Sequence, residues 1–212
     1  MINKNIDSKV LISLLTWMTL GDGNITIPAK GKNGFFQCMH IDKHEDYIQT
    51  KTGILSYVTG ASYKKYWHSR QKNYNFQVHT RCHPLFTKLR KTLYNGKRKV
   101  ITEHALKVIT PWALAILYQD DGRCNLNKST ISINKPLFSQ IELLALAKII
   151  VLKYGIIFRV RKSCTLKDGT VGYELGLRMK DKDKFFNLIA PFIVPSMFYK
   201  IGRGSKAEFK SW

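Results

Sequence analysis

Residues 111–124 read PWALAILYQDDGRC, and residues 11–24 read LISLLTWMTLGDGN. In both, an apolar run of about three helical turns arrives at a carboxylate followed by glycine, the residue that most readily closes a helix C-terminus. The two carboxylates are Asp22 and Asp121. An anion at that end of a helix opposes the macrodipole, at a cost of roughly 0.3–1 kcal/mol when exposed. A cation reverses the sign. Two helices this apolar must bury their faces against each other or against a shared core, and if they pair side by side both acidic ends meet at one place. Aspartate oxygens and last-turn carbonyls, here those of Gly21 and Asp120, would make a site for a hard divalent cation. Of the adjacent Asp120 and Asp121, the second precedes Gly122 as Asp22 precedes Gly23, so Asp121 is taken as the partner of Asp22.

The rest of the chain repeats with these runs. Asp22 and Asp121 are 99 residues apart, and Lys99 and Lys200, each leading into Val-Ile or Ile, are 101 apart. Gly60 and Gly155, each ending an amphipathic stretch before an aromatic and basic strand, are 95 apart. The chain therefore reads as two similar halves, residues 1–96 and 111–212, joined by a linker at 97–110. A repeat this long suits a pseudo-twofold monomer rather than a solenoid.

The segments LTWMTLGDG at 15–23 and LAILYQDDG at 114–122 resemble the two nine-residue motifs of the single-chain LAGLIDADG homing endonucleases, and the resemblance covers nearly the whole chain. The third motif position, usually glycine in that family, is Trp17 and Ile116 here, so close helix contact is expected at Thr16 and Ala115 instead. KRK ending at Lys99 and FYK ending at Lys200 are similar to the family's basic residues near the cleavage centre. The resemblance implies a catalytic set of Asp22, Asp121, Lys99 and Lys200. It also implies Mg²⁺, two or three ions shared by the two aspartates with help from Gly21 and Asp120, and a double-strand break across the minor groove of an asymmetric DNA target. A second reading is a maturase, the same fold binding intron RNA.

Composition supports a polyanionic partner. With 35 Lys and Arg against 14 Asp and Glu, the net charge is +21, which favours double-stranded DNA or RNA over a neutral ligand. A membrane is not expected, because no run reaches eighteen apolar residues and the longest, 141–152, is broken by Glu142 and Lys148. The N-terminus lacks the order of a secretory signal. Cys38, Cys82, Cys124 and Cys164 show no paired spacing and read as reduced thiols of an intracellular protein, in an organelle or in a phage or bacterial cytoplasm.

Taken in order, each half is expected to run helix, two strands, helix, two strands, helix: an α+β fold, αββαββα twice, with antiparallel four-stranded sheets forming a concave saddle. A helix over 8–21 leads to strands near 24–27 and 35–41, joined by a basic turn carrying Lys30 and Lys32. Asp42 and Glu45 suggest a capping box. In the hairpin that follows, Lys64, Tyr66, His68 and Arg70 share one face of the first strand. Asn73, Asn75, Gln77 and His79 share the outer face of the second, with Tyr74, Phe76 and Val78 inward. Such donors and acceptors match base edges in the major groove.

The second half offers Arg123, Asn125 and Lys128, then Thr130 and Ser132 on a strand with Ile131 and Ile133 inward. Pro136 is expected to open a long helix to Tyr154 that buries Ile141, Leu144, Ala145, Ile149 and Leu152. Arg159 and Arg161 precede a turn with Lys167, and a strand at 171–180 would present Glu174, Arg178 and Lys180 while burying Tyr173, Leu175, Leu177 and Met179. A last helix is placed at 182–193, before the basic tail.

Overall fold

The computed structural model describes residues 6–202 except 70, 71, 126, 128, 136 and 167. Arg70, Lys128, Lys167 and the tail from Arg203 onward lie outside the described residues. The first half runs α1 (Ser8–Leu20), β1 (Asn24–Thr26), β2 (Phe35–Ile41), α2 (Glu45–Ser56), β3 (Ala61–His68), β4 (Asn73–Thr80) and α3 (Pro84–Leu93). A short hairpin, β5 (Tyr94–Asn95) and β6 (Arg98–Lys99), and α4 (Glu103–Lys107) lead into the second half. That half runs α5 (Pro111–Asp121), β7 (Gly122–Asn125), β8 (Thr130–Asn134), α6 (Gln140–Tyr154), β9 (Phe158–Thr165), β10 (Val171–Leu177) and α7 (Lys182–Ile189). The expected αββαββα order holds in both halves.

The sheets share one antiparallel topology, β1-β2-β4-β3 and β7-β8-β10-β9. Strand alternation sends Phe36, Cys38, Phe76 and Val78 of one sheet, and Ile131, Ile133, Leu175 and Leu177 of the other, into the core. The motif helices start on their caps. Asp7 accepts from the Lys9 and Val10 amides, and Thr110 accepts from Ala113 with Pro111 at the first helical position. No helix among the described residues is long and apolar enough to cross a membrane.

Several expected details differ. Helix α6 starts at Gln140 on a Ser139–Glu142 capping box, and buries Leu143, Leu146, Ala147 and Ile150 while Ile141, Leu144 and Leu152 are exposed. Its sequence is apolar nearly all round, so periodicity could not choose the face. Tyr74 is exposed and Asn75 buried; Asn75 is flanked by strands on both sides, whereas Tyr74 pairs on one side only, with Trp67. No side chain caps the start of α2, which follows a 3₁₀ turn at Asp42–His44. β10 stops at Leu177, followed by a 3₁₀ turn at Met179–Asp181, and α7 gives way to 3₁₀ turns at Ala190–Phe192 and Pro195–Ile201.

α1 packs against α5 at the joint between the halves. Thr16 and Ala115 are fully buried, Ser13 Oγ lies 3.0 Å from Thr110 Oγ1, and Trp17 turns its indole to α4, donating to the Ala105 carbonyl at 3.2 Å. The joint also holds a buried ion pair. Lys51 of α2 reaches Asp120 of α5 at 2.6 Å, with neither side chain exposed, and the Tyr47 hydroxyl donates to the same carboxylate at 2.8 Å.

The motif glycines are required by contact rather than by a left-handed cap. Gly122 has φ −71, and a Cβ there would lie 2.3 Å from the Tyr118 carbonyl oxygen and 2.4 Å from its ring. At Gly23 the equivalent atom would meet the Met18 carbonyl and the Phe36 ring at 2.4 Å each. Gly122→Ala and Gly23→Ala are each expected to lose about 1–3 kcal/mol or more of stability in urea denaturation; unchanged midpoints would refute the packing. Lys51→Met leaves Asp120 buried without its cation and is expected to cost about 3–5 kcal/mol, with part of the loss recovered in Lys51→Met/Asp120→Asn. A double variant no more stable than Lys51→Met alone would show that the pair is not the coupled unit.

Candidate catalytic centre and nucleic-acid interface

Asp22 follows the end of α1 and Asp121 closes α5, and both line one cavity of about 420 Å³ together with Gly21, Lys99 and Lys135. The side chain of Asp22 is 39% exposed and that of Asp121 15%. Burial, and then the neighbouring Asp120, raises the Asp22 carboxyl above its ordinary range. Burial pushes Asp121 up to about 7, Lys135 opposing the shift and Asp22 and Asp120 adding to it. Both carboxylates hold their charge reluctantly; Asp22 opens on the cavity, whereas Asp121 lies mostly buried with Lys135 at 2.5 Å.

The lysines sit where the repeat places them. Lys99 donates to the Gly21 carbonyl at 2.7 Å, and Lys200 to the Gln119 carbonyl at 2.5 Å, with Asp120's carbonyl at 3.4 Å. Each ammonium thus meets the negative pole of its own motif helix. The Gly21 and Asp120 carbonyls, expected to help bind metal, accept from or lie beside lysines here. Burial pulls Lys99 down to about 8, with Lys135 adding to the effect, and burial likewise lowers Lys200.

Asp22, His40 and Asp120 offer ligand atoms within 4.8 Å of one another, but that trio does not fit a cation. Asp120 Oδ1 accepts from Lys51 and Tyr47 and its Oδ2 accepts from the Asp22 amide at 3.0 Å. Burial alone would raise this carboxyl, yet Lys51 and the Asp22 amide hold it below its ordinary value. Lys51 already supplies the cation. Asp120 also explains Gly21: a Cβ there would lie 2.0 Å from Asp120 Oδ2, so the missing side chain in one half admits the carboxylate from the other. The two carboxylates that line the cavity are Asp22 and Asp121, the latter paired with Lys135 at 2.5 Å.

Sequence reasoning missed His40, Tyr47, Lys51 and Lys135. Burial and then Lys51 lower His40 to about 3, leaving it neutral. Lys51 Nζ lies 3.0 Å from its Nε2; an ammonium only donates, so Nε2 accepts and the proton sits on Nδ1, 4.0 Å from Asp22 Oδ2. Lys135 Nζ lies 2.5 Å from Asp121 Oδ2. His40 and Lys135 are 95 residues apart, the Gly60–Gly155 offset, which was the available signal. Lys51 stood on the buried face of α2 with Tyr47, Ile48, Ile54 and Leu55, a position where a lysine needs a partner.

On the polar face of the first sheet, Lys64, Tyr66, Gln77 and His79 line a groove of about 510 Å³, with His68 and Asn73 half-buried at the hairpin end and Lys30 and Lys32 exposed on the preceding turn. Asn75, expected to be outward and accessible, is buried in the central strand. In the second half Arg123, Asn125, Arg159 and Arg161 are exposed and Thr130 half-buried, while Ser132 is buried. Glu174 pairs with Arg161 at 2.7 Å. Arg178 lies beyond the end of β10, and both its Nε and Nη2 donate to Asp181, at 2.9 and 2.8 Å; Lys180 is exposed on the following turn. These two do not belong to the sheet face that the alternation assigned them.

Comparison with known proteins agrees with the fold. Residues 12–185 match the model of the LAGLIDADG DNA endonuclease family. The DNA endonuclease I-ChuI of Chlamydomonas applanata is 29% identical over 203 residues, covering 89% of this chain and 93% of the relative. The protein RecA of Mycolicibacterium flavescens is 31% identical over 200 residues, 86% of this chain but 44% of that protein, so the chain spans less than half of it. The homing endonuclease I-WcaI bound to its DNA recognition sequence superposes with a TM-score of 0.75 at 22% identity, over 92% of this chain and 86% of that one. With its paired motif helices, doubled αββαββα plan and matching family model, the chain belongs to the LAGLIDADG DNA endonuclease family.

Proposed function

We propose that the protein is a monomeric, site-specific DNA endonuclease that hydrolyses both strands of an asymmetric duplex with divalent-cation help, Mg²⁺ being the physiological ion. The observation that carries this reading is the doubled centre at the joint of the two halves: Asp22, Asp121 and Lys99 line one cavity, and Lys99 and Lys200 each cap the C-terminal carbonyls of a motif helix. A divalent ion held by the two carboxylates would supply Lewis acidity and a more acidic water. The chain's own groups do the rest. Lys99 and Lys200 stand beside the carboxylates to stabilise negative charge developing on a phosphate, and their lowered proton affinity lets them exchange a proton with the attacking water or the leaving oxygen. His40 stays neutral at neutral pH, with its Nδ1 4.0 Å from Asp22 Oδ2.

The polar sheet faces would lie along the duplex. A strand of eight residues spans about 26 Å, so two sheets can follow a long site. Because the first face offers Lys64, Tyr66, Gln77 and His79 and the second Arg123, Asn125, Arg159 and Arg161, the two half-sites should differ in sequence.

Three outcomes are expected. On a duplex selected by the wild-type protein from a randomised plasmid library in Mg²⁺, Asp22→Asn and Asp121→Asn should bind normally but cut at least roughly 100-fold more slowly; persistent cutting by either rejects the assignment. Binding should weaken steeply with salt as phosphate contacts release counterions, and a flat dependence would count against the basic faces.

The third concerns stability. The Asp121 carboxyl is raised in the fold, so the native state binds the extra proton between the ordinary carboxyl value and about 7, and stability should fall as pH rises through that window. In chelator, Asp121→Asn should flatten this fall, and Ca²⁺ should raise the melting temperature of the wild type at pH 7.5. A wild-type melting temperature indifferent to both would refute the strained carboxylate.

A further inference from the structure

Each catalytic-centre lysine rides on a short segment that both halves hold: within its own half, Lys99 pairs with Tyr94 across a two-residue hairpin and the Lys200 carbonyl accepts from the Tyr118 hydroxyl at 2.7 Å. Lys99 lies in the two-residue strand β6, and Lys200 in the 3₁₀ turn Pro195–Ile201. Both segments are gripped from across the joint. Glu142, in the first turn of α6 in the second half, accepts from Arg98 Nη1 at 2.8 Å through Oε2 and from the Ile101 amide at 2.9 Å through Oε1, bracketing Lys99. Asp46, in the first turn of α2 in the first half, accepts from the Ser196 amide at 2.9 Å and the Ser196 hydroxyl at 2.5 Å, four residues before Lys200. The His44 ring stacks on Tyr199, next to Lys200, at 6.1 Å and 14°.

The two grips correspond. Asp46 and Glu142 are 96 residues apart, matching the repeat, and each sits at a helix N-terminus, where the macrodipole favours a carboxylate. Their partners include a backbone amide in both cases, bonds to an ionised acceptor that are stronger than neutral ones. The arrangement is crossed: the acid of one half holds the lysine segment of the other, while the lysine itself reaches its own motif helix.

We propose that Glu142 and Asp46 are positioning residues, each fixing the opposite half's lysine over its motif helix so that neither half completes its centre alone. The proposal rests on the lysine roles given above. It accounts for conserving geometry rather than binding: neither acid is on a polar sheet face, and misplacing a reacting group by about 1 Å can cost on the order of 100-fold in rate. Because each acid serves one lysine, each should matter for one strand more than for the other.

The test has two arms on the full chain. Without DNA, amide hydrogen exchange should show Ile101 losing protection in Glu142→Ala and Ser196 losing it in Asp46→Ala, each with the other segment unchanged. With a selected duplex labelled on both strands, Glu142→Ala and Asp46→Ala should slow single-turnover cutting of opposite strands roughly tenfold or more, nicked DNA should accumulate, and the affinity for DNA should stay within about twofold. Since Glu142→Ala also removes the α6 capping box, Arg98→Met, which leaves that box intact, should show the same strand bias as Glu142→Ala. Equal slowing of both strands, or loss of affinity matching the loss of rate, overturns the proposal. If Lys99→Met itself cuts both strands at the wild-type rate, the lysine assignment fails; if Lys99→Met is biased and both Glu142→Ala and Arg98→Met are not, the crossed grip alone fails.

Discussion

Two helix C-termini and three carboxylates, Asp22, Asp120 and Asp121, meet at one largely buried place, and the rest of the molecule answers that accumulation of negative charge. Four lysines attend it. Lys51 pairs inside with Asp120, Lys135 pairs with Asp121, and Lys99 and Lys200 cover the last carbonyls of the two helices. Burial in low dielectric strengthens each of these attractions and makes each unpaired charge costly. The carboxylates lining the cavity, Asp22 and Asp121, are both raised above their ordinary values, chiefly by burial.

The halves are alike in plan and unlike at the centre. Where the first motif has Gly21, the second has Asp120, and one requires the other: the carboxylate fills the space a side chain at Gly21 would take and accepts the Asp22 amide. Asp120 is therefore a tie between halves, clamped by Tyr47 and Lys51, while Asp121, paired with Lys135, lines the cavity. The same asymmetry puts a neutral histidine beside Asp22 and a lysine beside Asp121.

Much of this was legible beforehand, for physical reasons that differ element by element. The offsets of about 100 residues between Asp22 and Asp121 and between Lys99 and Lys200 fixed the pseudo-twofold plan, and the turn and breaker residues fixed the strand and helix order. Where alternation dominated, as at Ile131 and Ile133 of β8, the buried residues came out as expected. Periodicity failed on α6, where apolar residues surround the helix and the face was chosen by Glu142 reaching Arg98 and by Lys153 donating to the Lys107 and Ile109 carbonyls. Asn75 and Ser132 were misjudged because alternation gives direction, not depth. The Lys51–Asp120 pair could not be read from composition, since only the fold brings α2 of one half against α5 of the other. Gly122 closes its helix as read, as the C-cap of α5, but what demands glycine is contact, with Tyr118 there and with the Met18 carbonyl and Phe36 at Gly23.

The most direct measurement is anomalous scattering from Mn²⁺ in crystals of the protein with a selected duplex. The account predicts peaks within about 2.0–2.6 Å of carboxylate oxygens of Asp22 and Asp121, with Lys51 still bound to Asp120. A peak coordinated by Asp22, His40 and Asp120, with Lys51 displaced, would contradict it.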